Sequence, residues 1–297
     1  MSVVVNTNIQ SLIGQNSLNR NTTALGRTLE QLSSGLKINS AKDDAAGLGV
    51  AELMTAQIKG NAQALSNIQD GMNLIQTAEG GLSIILENVQ RIRELSIQAA
   101  NEVYDENSRQ AILNEIGQRL KTINQISATT NFNGKSLIDG SINTLFIQVG
   151  PNGDLPNADP LLNSLDIAPS LTDARTDKLG IDLKITALGK AGGNAIDANN
   201  WSTQDVRNYI NKLDDAITKI TNDMSVMGAY MNAMESSSDN LTTMNLSLES
   251  ARSEIRDVDI AQASSDMIRY QILQQTSTSV LAQANQMPTI ALSLLSA

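Results

Sequence analysis

Residues 206–255 read VRNYINKLDDAITKITNDMSVMGAYMNAMESSSDNLTTMNLSLESARSEI, and this stretch decides the fold. Every seventh residue in it is apolar: Val206, Leu213, Ile220, Met227, Met234, Leu241, Leu248 and Ile255. Other apolar residues lie between the first of these and make the spacings alternate between four and three: Ile210, Ile217, Met224 and Met231. This heptad pattern predicts a helix of about 50 residues that packs as a coiled coil.

The start of this helix and a change along it are also predicted. Ser202 and Asp205 have the S-x-x-D spacing of a capping box, so the helix is expected to begin there. Beyond Met231 the second apolar stripe moves to Met244 and Ala251. Such a drift indicates that the packing partner changes along the helix.

The N-terminal half carries two helical patterns of the same kind, which offer partners for this helix. The first runs from Leu65 to Val103, and Glu79 interrupts its strict spacing. Its predicted seam includes Ile85, Val89 and Ile92. A break follows, with Asp105 as the expected cap of a second helix. The apolar face of that helix holds Leu113, Ile116, Leu120, Ile123 and Ser127, and Asn131–Gly134 predicts a turn after it.

The middle of the chain, residues 141–200, has a different period. Alternate residues are apolar in two runs: Leu145, Ile147 and Val149, and then Leu179, Ile181, Leu183 and Ile185. Period two predicts short strands. The stretch between the runs contains Pro156, Pro160 and Pro169, which predicts a loop. We therefore expect a small β-hairpin and loop region here.

Composition excludes several classes of function. The 297 residues include no Cys and no His, so disulfides, zinc sites with Cys or His ligands, Cys nucleophiles and His bases are ruled out. A net charge of −10 argues against nucleic-acid binding, which needs a basic surface. No nucleophile elbow, phosphate loop or dinucleotide fingerprint is present, so we expect neither an enzyme nor a bound cofactor.

The chain also lacks the usual sequence signals for membranes and secretion. It has no run of about 20 apolar residues, so no membrane insertion is expected. The start, Met1 to Asn6, has neither a basic region nor a long apolar region, so no cleaved signal peptide is expected. These features alone predict a cytoplasmic protein, unless an export machine reads other signals.

Both ends of the chain carry narrow apolar stripes with nothing local to cover them. The stripes comprise Leu25, Leu29, Leu32 and Leu36 near the N-terminus, and Leu273, Val280, Ala284 and Leu294 near the C-terminus. A heptad buries about two seam side chains, each contributing roughly 1.5–3 kcal/mol. Ordering seven residues costs on the order of 7–14 kcal/mol of backbone entropy. A single stripe is therefore too weak to order a lone helix.

Two interpretations of these ends remain open from periodicity. In one, roughly the first 40 and last 40 residues order only when neighbouring copies cover them, so that polymerisation is their folding step. In the other, the two ends pair within one chain as a closed bundle. Sequence patterns do not separate contacts within a chain from contacts between chains.

The predicted fold is mainly α, a long antiparallel coiled-coil bundle formed by the N- and C-terminal regions. We expect residues 1–45 and 256–297 to form one helical layer, and residues 46–140 and 201–255 to form a second.

Between the two N-terminal parts, Asp43 and Asp44 precede Gly47 and Gly49. Their spacing matches neither a calcium loop nor a phosphate loop, so we expect a turn in which the glycines adopt positive φ.

Several long motifs, in the same order at both ends, resemble bacterial flagellin. At the N-terminal end these are residues 32–48, LSSGLKINSAKDDAAGL, and residues 90–95, QRIREL. At the C-terminal end they are SARSEIRDVD at 250–259, ILQQ at 272–275 and VLAQANQ at 280–286. The resemblance covers about residues 1–140 and 200–297. A short middle segment distinguishes the chain from larger relatives, which carry outer domains there.

The resemblance implies a subunit that polymerises into the flagellar filament for motility, with the terminal segments in the inner core. It implies export through the flagellar type III apparatus without signal cleavage, and hence an extracellular location. The implied partners are other copies of the chain, an export chaperone at the C-terminal segment, and the filament cap and hook-junction proteins. The alternative within the same superfamily is a hook–filament junction protein.

One further implication concerns immune recognition. Arg91, Leu95 and Glu115 match positions through which similar flagellins contact the flagellin-sensing Toll-like receptor. Arg91 and Leu95 are four residues apart, so they are expected to form a joint patch on one helix face. The same patch also suits packing between neighbouring subunits.

Overall fold

The computed structural model describes residues 8–153, 163–181 and 203–295, without the side chains of 203, 204 and 288–295. Long helices dominate these ranges: α1 (Ile9–Ser34), α2 (Ala45–Ala99), α3 (Glu106–Thr129), α4 (Thr203–Arg256) and α5 (Ile260–Leu295). The strands are short: β1 (Asn131–Phe132), β2 (Lys135–Ser136), β3 (Phe146–Gln148) and β4 (Ser164–Asp166). A single 3₁₀ turn spans Ala168–Ser170 in the described ranges. The prediction of a mainly α fold with a small β region is confirmed.

The chain divides into two compact units. The first contains residues 1–56 and 246–297, and the second contains residues 57–245. Helices α2 and α4 contribute to both, so the unit boundaries lie nearer the middle of each helix than the predicted 45/46 and 255/256. No helix within the described ranges combines the length and the apolar character needed to cross a bilayer.

Helix α2 supplies the second unit with an unbroken heptad seam. Twelve of its buried positions follow one another at alternating spacings of three and four: Asn61, Ala64, Ile68, Gly71, Ile75, Ala78, Leu82, Ile85, Val89, Ile92, Ser96 and Ala99. Leu74, Gly81 and Leu95 are buried beside this seam. The predicted interruption at Glu79 is therefore wrong, because the seam passes through Ala78 instead. The small residues make room for α4, since a Cβ added at Gly71 would lie 3.0 Å from Cε of Met234.

Helix α4 lies antiparallel to α2 in this unit. Near one end Arg93 Nε donates to Asp214 Oδ1 at 2.5 Å, and near the other Asn61 Nδ2 donates to Asn245 Oδ1 at 2.9 Å. The buried face of α4 holds Val206, Tyr209, Leu213, Ala216, Ile220, Met227, Met234 and Leu241. The second predicted stripe is only half-buried: Ile210, Ile217, Met224 and Met231. The buried face thus includes Tyr209 and Ala216 in place of Ile210 and Ile217, and so it is rotated from the predicted seam.

The break before α3 and the turn after it are as predicted. The carboxylate of Asp105 accepts a hydrogen bond from the backbone N–H of Ser108 at 3.1 Å and so caps the helix. After α3, strands β1 and β2 pair antiparallel across Asn133 and Gly134, whose φ angles are +49° and +78°. Two consecutive positive φ angles are the geometry of a tight hairpin turn, which favours Asn-Gly.

The middle region differs from its prediction in two places. Strand β3 forms as expected, but it pairs antiparallel with β4 in a stretch predicted as loop, with Ile147 opposite Leu165. Residues 179–181 were predicted to begin a strand, yet they form a turn in which Gly180 has a φ of +74°. Leu183 and Ile185 lie outside the described residues, as does Ser202 of the predicted capping box.

Burial of the α2 seam predicts that two adjacent isoleucines contribute very differently to the free energy of unfolding. Ile85 is fully buried and Ile84 is 50% exposed. Ile85→Ala should lower the free energy of unfolding by about 2–5 kcal/mol, because it removes core contacts and leaves a cavity. Ile84→Ala, the matched control, should change it by less than about 1 kcal/mol. Urea unfolding followed by circular dichroism measures both, and equal losses would contradict the seam assignment.

Candidate assembly surface

Two connections meet in the first unit and hold its helix ends together. The segment after α1 crosses the segment between α4 and α5, with Leu36 opposite Asp257 in an antiparallel bridge. Lys37 N–H donates to the carbonyl of Arg256 at 2.7 Å, and Val258 N–H donates to the carbonyl of Gly35 at 3.1 Å. Gly35 permits the crossing, because its φ of +73° suits a residue without a side chain.

Asp43 and Asp44 have structural partners in the turn before α2. The Asp43 carboxylate accepts from the backbone N–H and the hydroxyl of Ser40 and pairs with Arg27 at 3.2 Å. Its bonds to Ser40 lower the pKa of Asp43. Asp44 accepts from Gly47 N–H at 2.9 Å at the start of α2. Within the described ranges, no group of three or more carboxylates is placed to hold a metal ion.

The predicted turn is present at residues 41–43, but the explanation given for its glycines is wrong. Gly47 and Gly49 lie inside α2 with helical backbone rather than at positive φ. Gly47 is instead closely packed, because an added Cβ would lie 2.5 Å from Oδ2 of Asp44 and 2.8 Å from Cδ1 of Ile38, and both side chains would have to shift. A Cβ added at Gly49 would meet no such atom within 4 Å.

Helices α1 and α5 pair antiparallel through small and polar side chains. Asn8 Nδ2 donates to the carbonyl of Ala284 at 2.7 Å, and Asn21 Nδ2 donates to Ser277 Oγ at 3.0 Å. Between these contacts Gly14 is buried, and a Cβ there would lie 3.3 Å from Cδ1 of Leu281. Among its described residues α1 buries Gly14 and Thr28 alone. The two ends thus pair within one chain, but without the large apolar core of a closed bundle.

Half-buried apolar side chains such as Leu25, Leu32 and Leu281 lie within the pair, but ten large apolar side chains lie on its outside. They comprise Ile9, Leu12, Ile13 and Leu29 on α1, and Ile260, Ile268, Ile272, Leu273, Val280 and Met287 on α5. Their exposed fractions range from 39% for Leu273 to 59% for Ile9. On α5 they form two columns, one through Ile268 and Ile272 and one through Leu273, Val280 and Met287. An exposed apolar surface of this extent favours burial against another protein surface.

The predicted end residues divide between the two faces of the pair. Leu29, Leu273 and Val280 are exposed, whereas Ala284 is buried. Leu25, Leu32 and Leu36 are half-buried, and so are Leu248 and Ile255 at the end of α4. The side chain of Leu294 lies outside the described residues. Ile268 and Ile272 are not among the predicted assembly residues, although their spacing of four indicates one helix face.

A different surface, which is polar, lies on α2 and α3 in the other unit. Arg91 donates to Glu94 at 2.7 Å, and its Nε lies 3.8 Å from Glu115 Oε1. The bond to Glu94 raises the pKa of the Arg91 guanidinium. Arg119 approaches Glu115 from the same helix at 3.1 Å. These four side chains form a surface cluster of alternating charge.

Leu95 does not belong to this surface. It is 3% exposed and forms part of the core of the second unit, whereas Arg91 is about half exposed. The expected joint patch of Arg91 and Leu95 is therefore wrong, because the residue at 95 turns towards the buried seam. The structure does bring Arg91 and Glu115 together.

Comparisons with known proteins match both ends of the chain. Residues 5–143 match the family described as the bacterial flagellin N-terminal helical region, and residues 210–295 match the bacterial flagellin C-terminal helical region. The flagellin of Halalkalibacterium halodurans is 36% identical over 294 residues, covering 99% of this chain and 100% of the relative. The flagellar filament 33 kDa core protein of Treponema phagedenis is 34% identical over 304 residues, with coverage of 99% and 100%.

A solved structure is similar in fold. It is described as a flagellar hook-associated protein from Vibrio parahaemolyticus and matches with a TM-score of 0.55 at 14% identity. The match covers 72% of this chain and 100% of that one, and at this identity it supports the fold alone.

The sequence relatives cover nearly the whole chain, and the resemblance read from the end motifs is confirmed. The chain belongs to the bacterial flagellin family.

Proposed function

We propose that this chain is a structural subunit of the bacterial flagellar filament and that its terminal helices complete their burial against neighbouring copies. The single observation that carries the proposal is the outward apolar surface of the α1–α5 pair, on which ten large apolar side chains stay exposed. When such surfaces meet head to tail, with a rotation that does not close into a ring, repeated contacts between copies give a helical polymer. Members of this family are structural proteins, and no catalytic role is proposed.

The free energy of burying the outward surface favours assembly. Burying one Leu, Ile, Val or Met side chain contributes roughly 1.5–3 kcal/mol. Immobilising a subunit costs on the order of 4–15 kcal/mol. The ten outward side chains of the α1–α5 pair are each 39–59% exposed, so covering all of them is equivalent to fully burying about five. That gain is of the same size as the cost, so the outward surface is large enough to support polymerisation.

The location follows from the same proposal. The chain is a component of the bacterial flagellum, and we place it outside the cell after export through the flagellar type III apparatus without signal cleavage. Residues 1–45 and 256–297 would form the inner core of the filament and the paired parts of α2 and α4 an outer layer. Filament cap and hook-junction proteins would contact the same subunit ends.

A hook–filament junction protein is the second candidate. The fold similarity to a flagellar hook-associated protein favours it, but the identity there is 14%. Relatives that are more than 30% identical over the full chain carry the names flagellin and filament core protein. Abundance separates the two, because a filament subunit dominates sheared appendages whereas a junction protein is a trace component.

Charge placed on the outward surface should abolish polymerisation. In the double variant Ile268→Asp and Ile272→Asp, two exposed side chains become carboxylates that would have to be buried between copies. We expect no sedimenting filaments at concentrations where the unchanged chain polymerises, with the thermal unfolding of the monomer preserved. Gln271→Asp, on a polar part of the same helix, is the control and should still polymerise. Filaments formed by the double variant would refute the proposed surface.

Order in the terminal helices should increase on assembly. Among its described residues α1 fully buries no large apolar side chain, so we infer that this pair opens easily in the monomer. Limited proteolysis should cleave within residues 8–40 and 257–295 of the monomer at least about tenfold faster than in the filament. An export chaperone bound at α5 is expected to protect the α5 sites alone. Equal cleavage rates in monomer and filament would rule out ordering on assembly.

We also infer that the cluster of Arg91 and Glu115 contacts the flagellin-sensing Toll-like receptor in hosts that encounter the protein. The support is the proximity of the two exposed side chains on α2 and α3. Arg91→Ala should reduce the receptor response to purified monomer by about tenfold, as for loss of one charged contact. Lys59→Ala is a control that removes the same charge elsewhere on α2. A monomer that produces no response would end this inference.

A further inference from the structure

The described methionines differ in exposure, and five of them are half-buried: Met54, Met72, Met224, Met231 and Met267. Met227 and Met234 lie in the core between α2 and α4 with no exposed surface. Met287 on α5 is 58% exposed, and Met244 on α4 is 41% exposed. Oxidation of a thioether follows its access to solvent. The fold therefore selects which methionines a dissolved oxidant reaches.

Met287 has a distinct place among the exposed methionines, because it lies in the outward surface of the α1–α5 pair. It continues the column of Leu273 and Val280 at intervals of seven residues, which keeps all three on one side of α5. One turn earlier, Ala284 is buried and its carbonyl accepts from Asn8 at 2.7 Å. The contact with α1 at Ala284 therefore ends close to Met287, which stays exposed beside it.

We propose that Met287 is a reversible oxidation site that controls assembly of the chain. The inference rests on the proposed filament function, in which neighbouring copies cover the outward surface. In the monomer Met287 is open to peroxide, whereas in a filament it would be buried. Oxidation would then act on subunits before they are incorporated and would leave a finished filament largely untouched.

The chemistry requires only hydrogen peroxide. The Sδ lone pair of Met287 attacks one peroxide oxygen, the S–O bond forms as the O–O bond breaks, and water leaves. Sulfur is oxidised by two electrons and the peroxide is reduced. The product replaces an apolar thioether with a polar sulfoxide, which methionine sulfoxide reductases convert back. Covering that polar group between copies without a hydrogen-bond partner disfavours assembly.

The experiment treats purified full-length monomer with dilute hydrogen peroxide. Peptide mass mapping follows the sulfoxide at each methionine, and sedimentation gives the critical concentration for polymerisation. Met287 and Met244 should oxidise well before Met227 and Met234. The critical concentration should rise by roughly tenfold as Met287 becomes oxidised, and reduction should restore it. In preformed filaments, oxidation at Met287 should be about tenfold slower than in the monomer.

Three variants separate Met287 from the other methionines. Met287→Leu should polymerise normally and remain competent after peroxide treatment. Met287→Gln, a permanently polar replacement, should raise the critical concentration without any oxidant. Met244→Leu removes an exposed thioether outside the α1–α5 pair and should respond to peroxide as the unchanged chain does.

Two results would overturn the inference. One is normal polymerisation of chains shown by mass mapping to carry the sulfoxide at Met287. The other is an equal loss of polymerisation by Met287→Leu on peroxide treatment. Failure of the untreated chain to polymerise is a separate result, which would refute the filament function and the oxidation switch together.

Discussion

Large apolar side chains fill the interface between α2 and α4, whereas between α1 and α5 small and polar side chains alternate with apolar ones that are only half-buried. In the second unit, Ile68, Ile85 and Ile92 lie in a continuous heptad seam with no exposed surface. In the first, Gly14 and Asn21 face α5, while residues such as Ile13 and Ile272 face outward. Burial of apolar area is the dominant favourable term in folding, so the two units have different sources of stability. The second completes its core within one chain, whereas the first leaves large apolar side chains exposed.

Polar residues inside the α2 seam restrict how the helices can pair. Asn61 is fully buried, and its amide nitrogen donates to Asn245 while its amide oxygen has no partner. A buried polar group of this kind lowers stability, but any other register would leave more of the amide unpaired. Arg93 and Asp214 meet at the far end of the same interface. The register of α4 on α2 is thus defined by polar contacts at both ends of an apolar seam.

The surface proposed for assembly is apolar and exposed. Its large side chains are accessible in the free chain, and Met287 is the one among those on α5 that peroxide can modify at sulfur. The charged cluster around Arg91 and Glu115 lies in the other unit and has no large apolar component. The surface proposed for self-assembly and the cluster proposed for receptor recognition therefore lie in separate parts of the chain, one apolar and one charged.

Local rules were enough for the features that depend on neighbouring residues in the chain. The heptads of α2 and α4, the cap at Asp105 and the Asn133-Gly134 turn are all readable, because spacing, capping and φ preference act over a few residues. Three-dimensional contacts decided the rest. Ala78 rather than Glu79 continues the seam, β4 pairs with β3, Gly47 packs closely against Asp44 and Ile38, and Leu95 turns into the core. The sequence by itself determined that the terminal helices carry unsatisfied apolar stripes. Only the tertiary structure decided which side of each helix is covered, because that depends on the partner helix and not on the period.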